Sequence, residues 1–427
     1  MVKHIVLICP TPMDKSQLAR ISDRLNGKYE IDMMELTDQR TEYDVLQFID
    51  QLVIKLKGKS FDGICSASDY PGILIAAALV HELKIPIGYN LLGTYRCSHK
   101  YYSRLIQSQL VPEACPNFFA LIDESSSEFT FPYPIFVKPV KSCLSQNAHR
   151  INNADELKQL LKNPKIQSHL TTFVHPFNQL IERYVPANVF QTNVSYMLAE
   201  ELLSGHQFTV DGYVDGNGEV TILGMTDTIM DSNKVSYLRF DHPTNLLPSY
   251  VQQRAKDICQ RIVKGIDLRW SLFNIEFYYN QENDDLKIIE INPRHVGLFG
   301  DMYELVHGQN TYEIMLDLSM GQATSFRSVK PSYSHASSIM LHLSSYKKAT
   351  IVKHVPSMDN IQAVLKKFPM VSLITVTCEV GMRLDADDRL AYGYGYINIG
   401  GNSMEEIDRN FKLAKENLDF EFEFVND

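Results

Sequence analysis

The sequence has little of what marks several protein classes. Seven cysteines are scattered over 427 residues without a Cys-x-x-Cys pair, which argues against a zinc site or a disulfide framework and predicts reduced thiols. Basic residues number 41 against 51 acidic ones, a net charge of −10, so nucleic acid and anionic membranes are not expected as partners. The longest apolar run, residues 72–80, is too short to cross a bilayer, and the N-terminal run is too short for a signal peptide. We therefore expect a soluble, cytoplasmic protein.

Strand-like and helix-like segments alternate over the first 90 residues. Residues 4–8 predict a buried strand, residues 31–36 and 61–65 predict two further strands, and the segments that follow them carry apolar residues at helical spacing. This alternation predicts a small parallel α/β domain, which we place at residues 1–92.

The remainder of the chain has more strand-like than helix-like segments and predicts an α+β architecture. Helices are expected over 153–162, 248–264 and 403–418. Strands are expected over 134–140, 179–185, 206–214 and 220–227, and again from about residue 330.

One hairpin carries an unusual set of polar residues. The segments "SLFNIEFYY" (271–279) and "LKIIEIN" (286–292) flank a polar turn, and a hairpin centred on Asn283 sets Glu276 opposite Glu290. The period of two places Asn292 on the same face. The reverse face is apolar and is expected to point into a core: Ile275, Phe277, Ile289 and Ile291.

Facing carboxylates repel each other, and a divalent cation between them would remove that conflict. Mg²⁺ prefers carboxylate and amide oxygens, so Glu276, Glu290 and Asn292 are a candidate metal site. Pro293 ends the ladder and allows Arg294 to reach a phosphate beside the metal. The alternative is a solvent-facing hairpin whose acids bind nothing, and the apolar reverse face and the trailing Asn-Pro-Arg argue against it.

This order of residues, an acid on one strand and Glu-x-Asn-Pro-Arg on the next, resembles the ATP-grasp superfamily, especially its carboxylate–amine ligases and biotin carboxylases. Segments 98–118, 134–151 and 199–214 also match the family, in the family's order. The resemblance implies a Rossmann-like domain preceding the ATP-grasp module over 1–92. It further implies an ATP-grasp domain over 93–327, with a lid at about 130–195, and a small α+β domain over 328–427.

The resemblance also implies nucleotide ligands. Lys100 and Lys138 stand where the family places lysines on the ATP phosphates, and Ser145 keeps the serine of a phosphate-binding loop that has no glycine here. Gln207 replaces a ribose-contacting Glu, and its amide can still accept a hydroxyl hydrogen bond. The adenine-binding hinge is expected at Glu200, Glu201 and Leu203.

By the same resemblance the protein is expected to be an ATP-dependent ligase that joins a small carboxylic acid, with an amino acid as one candidate, to an amine. One or two Mg²⁺ ions (Mn²⁺ is an alternative) would bind beside ATP, and Arg294 would be catalytic. Asp227 and Asp301 are candidates for the acceptor pocket. A homodimer is possible. Two alternatives stay open: a biotin-type carboxylase that activates bicarbonate, and a non-catalytic nucleotide-binding protein on the same fold.

Overall fold

The computed structural model describes residues 1–36, 44–121, 132–142, 146–189, 197–231, 237–322, 331–343, 349–384 and 393–425. The strands along these residues are β1 (Lys3–Ile8), β2 (Tyr29–Met34), β3 (Gly63–Cys65), β4 (Phe118–Leu121), β5 (Ile135–Pro139), β6 (His149–Ile151), β7 (Met197–Glu201), β8 (His206–Val214), β9 (Val220–Met230), β10 (Tyr237–His242), β11 (Ser271–Asn280), β12 (Asp285–Asn292), β13 (His335–His342), β14 (Ala349–His354), β15 (Val371–Val376), β16 (Gly393–Gly401) and β17 (Glu421–Val425). The α-helices are α1 (Pro12–Arg20), α2 (Ser22–Leu25), α3 (Val45–Leu56), α4 (Gly72–Glu82), α5 (Leu91–Ser98), α6 (Lys100–Leu110), α7 (Ala154–Leu161), α8 (Pro164–His169), α9 (His175–Tyr184), α10 (Ser249–Ile266), α11 (Gly300–His307), α12 (Thr311–Ser319), α13 (Met358–Lys367) and α14 (Met404–Glu416).

The N-terminal segment is the parallel α/β unit that the sequence predicts. Its strands pair in parallel in the order β2-β1-β3. Residues 72–80 of helix α4 are apolar on every side and pack inside a core that also contains side chains of α3 and α9. The carboxyl ends of β1 and β3 meet at one edge of this sheet, the usual ligand-binding edge of such folds.

An eight-stranded sheet in the order β12-β11-β8-β9-β10-β13-β16-β15 organises the remainder, with antiparallel pairing throughout. One face is covered by α10, whose Val251, Ala255 and Ile258 pack in a core with Phe208 and Phe277. Strands β13, β15 and β16 belong to the segment predicted as a separate C-terminal domain. The sheet therefore continues across the predicted boundary at residues 327 and 328.

A smaller unit overlaps the predicted lid and contains the sheet β4-β7-β5-β6 with α7 to α9. The predicted strand over 179–185 is wrong, because these residues lie largely in α9. Phe177, Leu180, Ile181 and Tyr184 are buried at helical spacing against the N-terminal core. A short apolar run is compatible with the helical period and with the strand period of two. Here the tertiary contact with the N-terminal core favours the helix.

Two further findings concern membranes and thiols. None of the helices in the described part of the chain is both long and apolar enough to cross a membrane. None of the cysteines that the structure describes forms a disulfide bond.

Helix α11 connects three parts of the molecule through two acids. Asp301 is fully buried and accepts hydrogen bonds from Gln17 Nε2 at 2.7 Å and from Asn398 Nδ2 at 2.8 Å, and it also accepts from Ser372. Glu304 pairs with Arg20 and Arg24 and accepts from Asn310 Nδ2 at 3.1 Å. Burial raises the pKa of Glu304, but the bonds from Arg24, Arg20 and Asn310 outweigh it and hold the value at about 2.

We predict that Glu304→Gln lowers the free energy of unfolding at pH 7 by roughly 1–3 kcal/mol, because it weakens a partly buried ion-pair network. The folded-state pKa lies below the unfolded one, so the contribution is present above about pH 4.3 and is lost as pH falls toward 2. Urea unfolding of both proteins at several pH values measures this difference, with the exposed Glu416→Gln as control. A difference that stays constant down to pH 2.5 would contradict the assignment.

Candidate active site

The predicted pairing of β11 with β12 is confirmed. Glu276 lies directly opposite Glu290, and Asn274 opposite Asn292. Asn292 donates from Nδ2 to Glu276 Oε1 at 3.3 Å, so the amide lies against the acid pair. The two acids and the amide thus share one face of the sheet, as the period of two requires.

A β-bulge interrupts this pairing just beyond the acids. Phe277 faces Ile288 instead of Ile289, so Ile289 is an extra residue on β12. The expectation that Ile289 points into the core is therefore wrong: it is only half-buried, and Ile288 is buried in its place. The Ile289 carbonyl accepts hydrogen bonds from Arg104 Nη2 at 2.7 Å and from Lys138 Nζ at 3.4 Å.

Both predicted phosphate-binding lysines lie at this hairpin. Lys100 begins α6, and its Nζ lies 2.8 Å from Glu290 Oε1. Lys138, on β5, lies 2.7 Å from Glu200 Oε2, and Arg104 Nε lies 2.6 Å from the other oxygen of the same carboxylate. Glu290 is partly exposed. The other charged side chains of this group are buried: Lys100, Arg104, Lys138 and Glu200. Burial lowers the pKa of Lys138, although the charge of Glu200 opposes this effect.

The remaining predicted nucleotide ligands lie around the end of β7 and the start of β8. Glu201 accepts from the backbone N and from Nδ2 of Asn117, both at 3.0 Å. Gln207 Nε2 donates to Glu276 Oε2 at 3.3 Å, so it lies beside the acid pair. Leu203 is half-buried in the turn between the strands. Ser145 lies outside the described residues.

Gly205 permits the close approach of this turn to β11. Its φ is +126°, and a Cβ there would meet the Tyr279 carbonyl oxygen at 2.2 Å. A side chain at residue 205 would therefore push the turn away from β11.

Arg294 faces the N-terminal α/β unit. Its Nη2 lies 3.4 Å from Asp69 Oδ2, and Lys141 Nζ lies 3.2 Å from Asp69 Oδ1. Burial raises the pKa of Asp69, but the charges of Lys141, Arg294 and Lys100 outweigh it and leave the pKa well below its usual range. Asp69 follows β3 at the carboxyl edge of the parallel sheet.

Sequence reasoning missed Asp69, Lys141 and Arg104. The signal for Asp69 was its place after a predicted strand of a parallel sheet, where ligand-binding loops gather. Lys141 follows the predicted strand over 134–140, and its burial required the fold to be known. Arg104 is only 2% exposed, and its burial likewise required the fold to be known.

The two candidate acceptor residues lie elsewhere. Asp227 pairs across the sheet with the core residue Phe208, whereas Glu276 pairs with Thr209, so Asp227 points to the opposite face. It accepts from Thr244 Oγ1 at 2.6 Å and from the Asn245 backbone N at 2.9 Å. Asp301 lies at the domain junction described above. The structure does not bring either residue to the acid pair.

The acid pair has the chemistry of a cation site. Burial and the charge of Glu290 raise the pKa of Glu276 to about 7, while Lys100 and Lys138 outweigh burial at Glu290 and lower its pKa. The lysines thus outweigh burial at Glu290, whereas at Glu276 burial and the facing charge outweigh Arg294, Lys100 and Lys138. Among the described residues no group of three or more His, Cys, Asp or Glu side chains converges as a metal site. The candidate set is two carboxylates and one amide, a donor set that suits Mg²⁺ with water and phosphate as further ligands.

Comparisons with known proteins identify the fold. Residues 131–301 match the model of the ATP-grasp domain family. An L-amino acid ligase from Bacillus licheniformis superposes with a TM-score of 0.76 at 15% identity, over 100% of this chain and 99% of that one. A phosphoribosylglycinamide synthetase from Anaerococcus prevotii gives 0.68 at 13% identity, over 99% and 100% of the two chains. A biotin carboxylase from Campylobacter jejuni gives 0.65 at 15% identity, over 99% and 92%. No curated protein matches the sequence.

The fold is therefore the ATP-grasp fold. Residues 131–301 match the ATP-grasp domain model, and the likeness in fold to the three solved structures extends over nearly the whole chain. The resemblance carried by the hairpin motif is confirmed.

We predict that Glu276→Gln stabilises the metal-free protein, because it removes one of two facing charges. The folded-state pKa of about 7 lies above the unfolded one, so the carboxylate costs nothing below about pH 4.3. Its cost builds as pH rises and levels off above 7, at on the order of 2 kcal/mol. Thermal and urea unfolding in EDTA at pH 4 and pH 8 measures this, with Glu282→Gln in the hairpin turn as control. Equal stability of variant and parent at pH 8 would contradict the repulsion.

Proposed function

We propose that the protein is an ATP-dependent ligase that activates a small carboxylic acid as an acyl phosphate and joins it to an amine. The observation that carries the proposal is the pair Glu276 and Glu290, with Asn292 beside it and basic side chains from several elements around it. Such a pair is costly in a protein that only folds, and it is useful in one that binds Mg²⁺ with nucleotide phosphates.

A carboxylate must be activated before an amine can attack it, because at neutral pH it has no good leaving group. Transfer of the terminal phosphoryl group of ATP to the carboxylate gives an acyl phosphate, and attack by an amine then releases phosphate. Protein groups contribute positioning and charge compensation to such a transfer. Glu276, Glu290 and Asn292 would hold Mg²⁺, which when bound neutralises charge on the phosphates.

The lysines complete the compensation of charge. Lys100 is bonded to Glu290, and a cation on that carboxylate would take over its role and leave Lys100 for the triphosphate. Lys138 is held by Glu200 and by the Ile289 carbonyl at the same end of the hairpin. The Lys138 ammonium group is thus kept at the acid pair by partners that a cation would leave in place, and it needs little reorganisation when the nucleotide arrives.

Arg294 and Asp69 favour an amino acid as substrate. They lie 3.4 Å apart where the loop after β12 meets the edge of the parallel sheet. A guanidinium and a carboxylate side by side complement the carboxylate and ammonium groups of one zwitterion. The full-length likeness to an L-amino acid ligase supports the same substrate class. Arg294 would also donate to the transferring phosphoryl group or to the tetrahedral intermediate.

The direct test mixes the purified protein with Mg-ATP and pooled amino acids, and follows ADP release and new products by mass spectrometry. The proposal expects ADP and a product equal in mass to acid plus amine minus water. Stimulation by bicarbonate alone would point to the carboxylase alternative. Bound ATP without ADP release from any pool would point to a non-catalytic protein. Assembly as a homodimer stays a prediction, and sedimentation velocity would test it.

We predict that Arg294→Ala cuts product formation at least about a hundredfold, since loss of one preorganised donor typically costs 10²–10³ in kcat. ATP binding should stay close to that of the parent, because the lysines and the acid pair are untouched. Steady-state ADP release and calorimetric ATP titration separate the two effects. Arg254→Ala, on the exposed side of α10, is the control. Near-normal turnover of Arg294→Ala would remove Arg294 from the catalytic groups.

A further inference from the structure

Three polar side chains form a row across the sheet beside the acid pair. Asp211 on β8 faces Asn274 on β11, and Asn274 faces Asn292 on β12. Their exposed fractions are 5%, 1% and 4%. We call these three residues the polar row. One end is the proposed metal ligand Asn292, and the other end is a carboxylate without an assigned role.

Hydrogen bonds connect the polar row in one direction. Asn292 Nδ2 donates to Asn274 Oδ1 at 3.4 Å, and Asn274 Nδ2 donates to Asp211 Oδ1 at 2.9 Å. An amide presents oxygen on one side and nitrogen on the other, whereas an ionised carboxylate only accepts. Asp211 therefore requires the nitrogen of Asn274, and the oxygen of Asn274 in turn requires the nitrogen of Asn292.

This direction decides which atom Asn292 offers to a ligand. With Nδ2 turned to Asn274 and Glu276, the Oδ1 atom of Asn292 is the one turned away from them. A cation needs that oxygen, since an amide nitrogen does not coordinate hard cations. The reversed direction would place Oδ1 against Asn274 and Nδ2 toward the cation.

The surroundings of Asp211 support its role as acceptor. Tyr303 donates from its hydroxyl to Asp211 Oδ2 at 2.9 Å, and Thr209 donates to the same oxygen at 3.3 Å. Tyr303 is fully buried in α11, so this donor is fixed by packing. Burial raises the pKa of Asp211 to about 6, although the bonds from Asn274, Tyr303 and Thr209 lower it. At pH 8 the carboxylate is ionised.

We propose that Asp211 is a positioning residue whose carboxylate sets the direction of the polar row, so that Asn292 turns its oxygen toward the divalent cation. This inference rests on the proposed function, because it takes Glu276, Glu290 and Asn292 as the cation site. It assigns Asp211 no contact with substrate or cation. Its effect is on the affinity for metal.

The test measures Mn²⁺ binding by electron paramagnetic resonance at pH 8 in the presence of ADP. Asp211→Asn keeps the shape of the side chain but allows either direction of the row. We expect Mn²⁺ affinity to fall about 10- to 100-fold, the usual effect of losing a partner of a metal ligand. Binding of ADP without metal should stay unchanged, and kcat at saturating Mg²⁺ should fall less than the metal affinity.

A charge swap separates orientation from a purely structural role. In Asp211→Asn/Asn292→Asp, the amide of residue 211 can donate to Asn274 Oδ1, and Asn274 can donate to the carboxylate at 292. That carboxylate offers oxygen whichever way it turns, so Mn²⁺ affinity should return to within about threefold of the parent. Asn292→Asp alone places acceptors at both ends of the row and should be less stable than the swap. Tyr303→Phe retains the carboxylate and should bind Mn²⁺ within about threefold of the parent.

The Mn²⁺ affinities of these variants either support or overturn the role proposed for Asp211. Parent-like Mn²⁺ affinity in Asp211→Asn, or a swap variant that misfolds or binds no better than Asp211→Asn, would overturn the inference. The proposed function fails separately, and the inference with it, if the parent shows no Mn²⁺ binding that Glu290→Gln removes.

Discussion

Two carboxylates held face to face by a β-hairpin are the constraint on which the site depends. Backbone pairing fixes Glu276 against Glu290, so neither side chain can escape the other by a shift of one residue without turning to the wrong face. Partial burial makes the conflict worse, because it removes part of the water that would screen it. Much of the surrounding architecture is then explained as compensation: Lys100 comes from α6, Lys138 from β5, and Arg294 from the loop after β12.

The bulge at Ile289 shows how the backbone takes part in this compensation. An extra residue on β12 frees a carbonyl from the ladder, and that carbonyl accepts from both Arg104 and Lys138. Glu200 then carries the balancing negative charge between the same two cations. Two cations can lie this close together inside a protein only because a carboxylate and a free carbonyl both serve them.

The sequence contained enough to place the hairpin, because the turn length and the period of two fix which residues face each other. The parallel unit could also be predicted, because strand-like segments alternate with segments that carry apolar residues at helical spacing. The sequence could not reveal the bulge, since one extra residue leaves the apolar pattern almost unchanged, and Ile288 and Ile289 are equally apolar. Asp69 and Arg104 were missed for a different reason: their partners lie far away in sequence, and only the assembled fold brings them together. Residues 179–185 were predicted as a strand because the contacts that favour helix α9 are made with the N-terminal core, which lies in another part of the chain.

The continuous eight-stranded sheet has a consequence for how the chain can be rearranged. Strand β10 pairs with β9 on one side and with β13 on the other. The sequence pattern places β9 in the predicted ATP-grasp domain and β13 in the predicted C-terminal domain. A break after residue 327 would strip β10 of that neighbour, expose a row of unpaired backbone groups, and leave Asp301 without its Ser372 and Asn398 donors. Exchange of whole modules among relatives is therefore constrained at this junction, and insertions are better accommodated in the turns at the ends of the sheet.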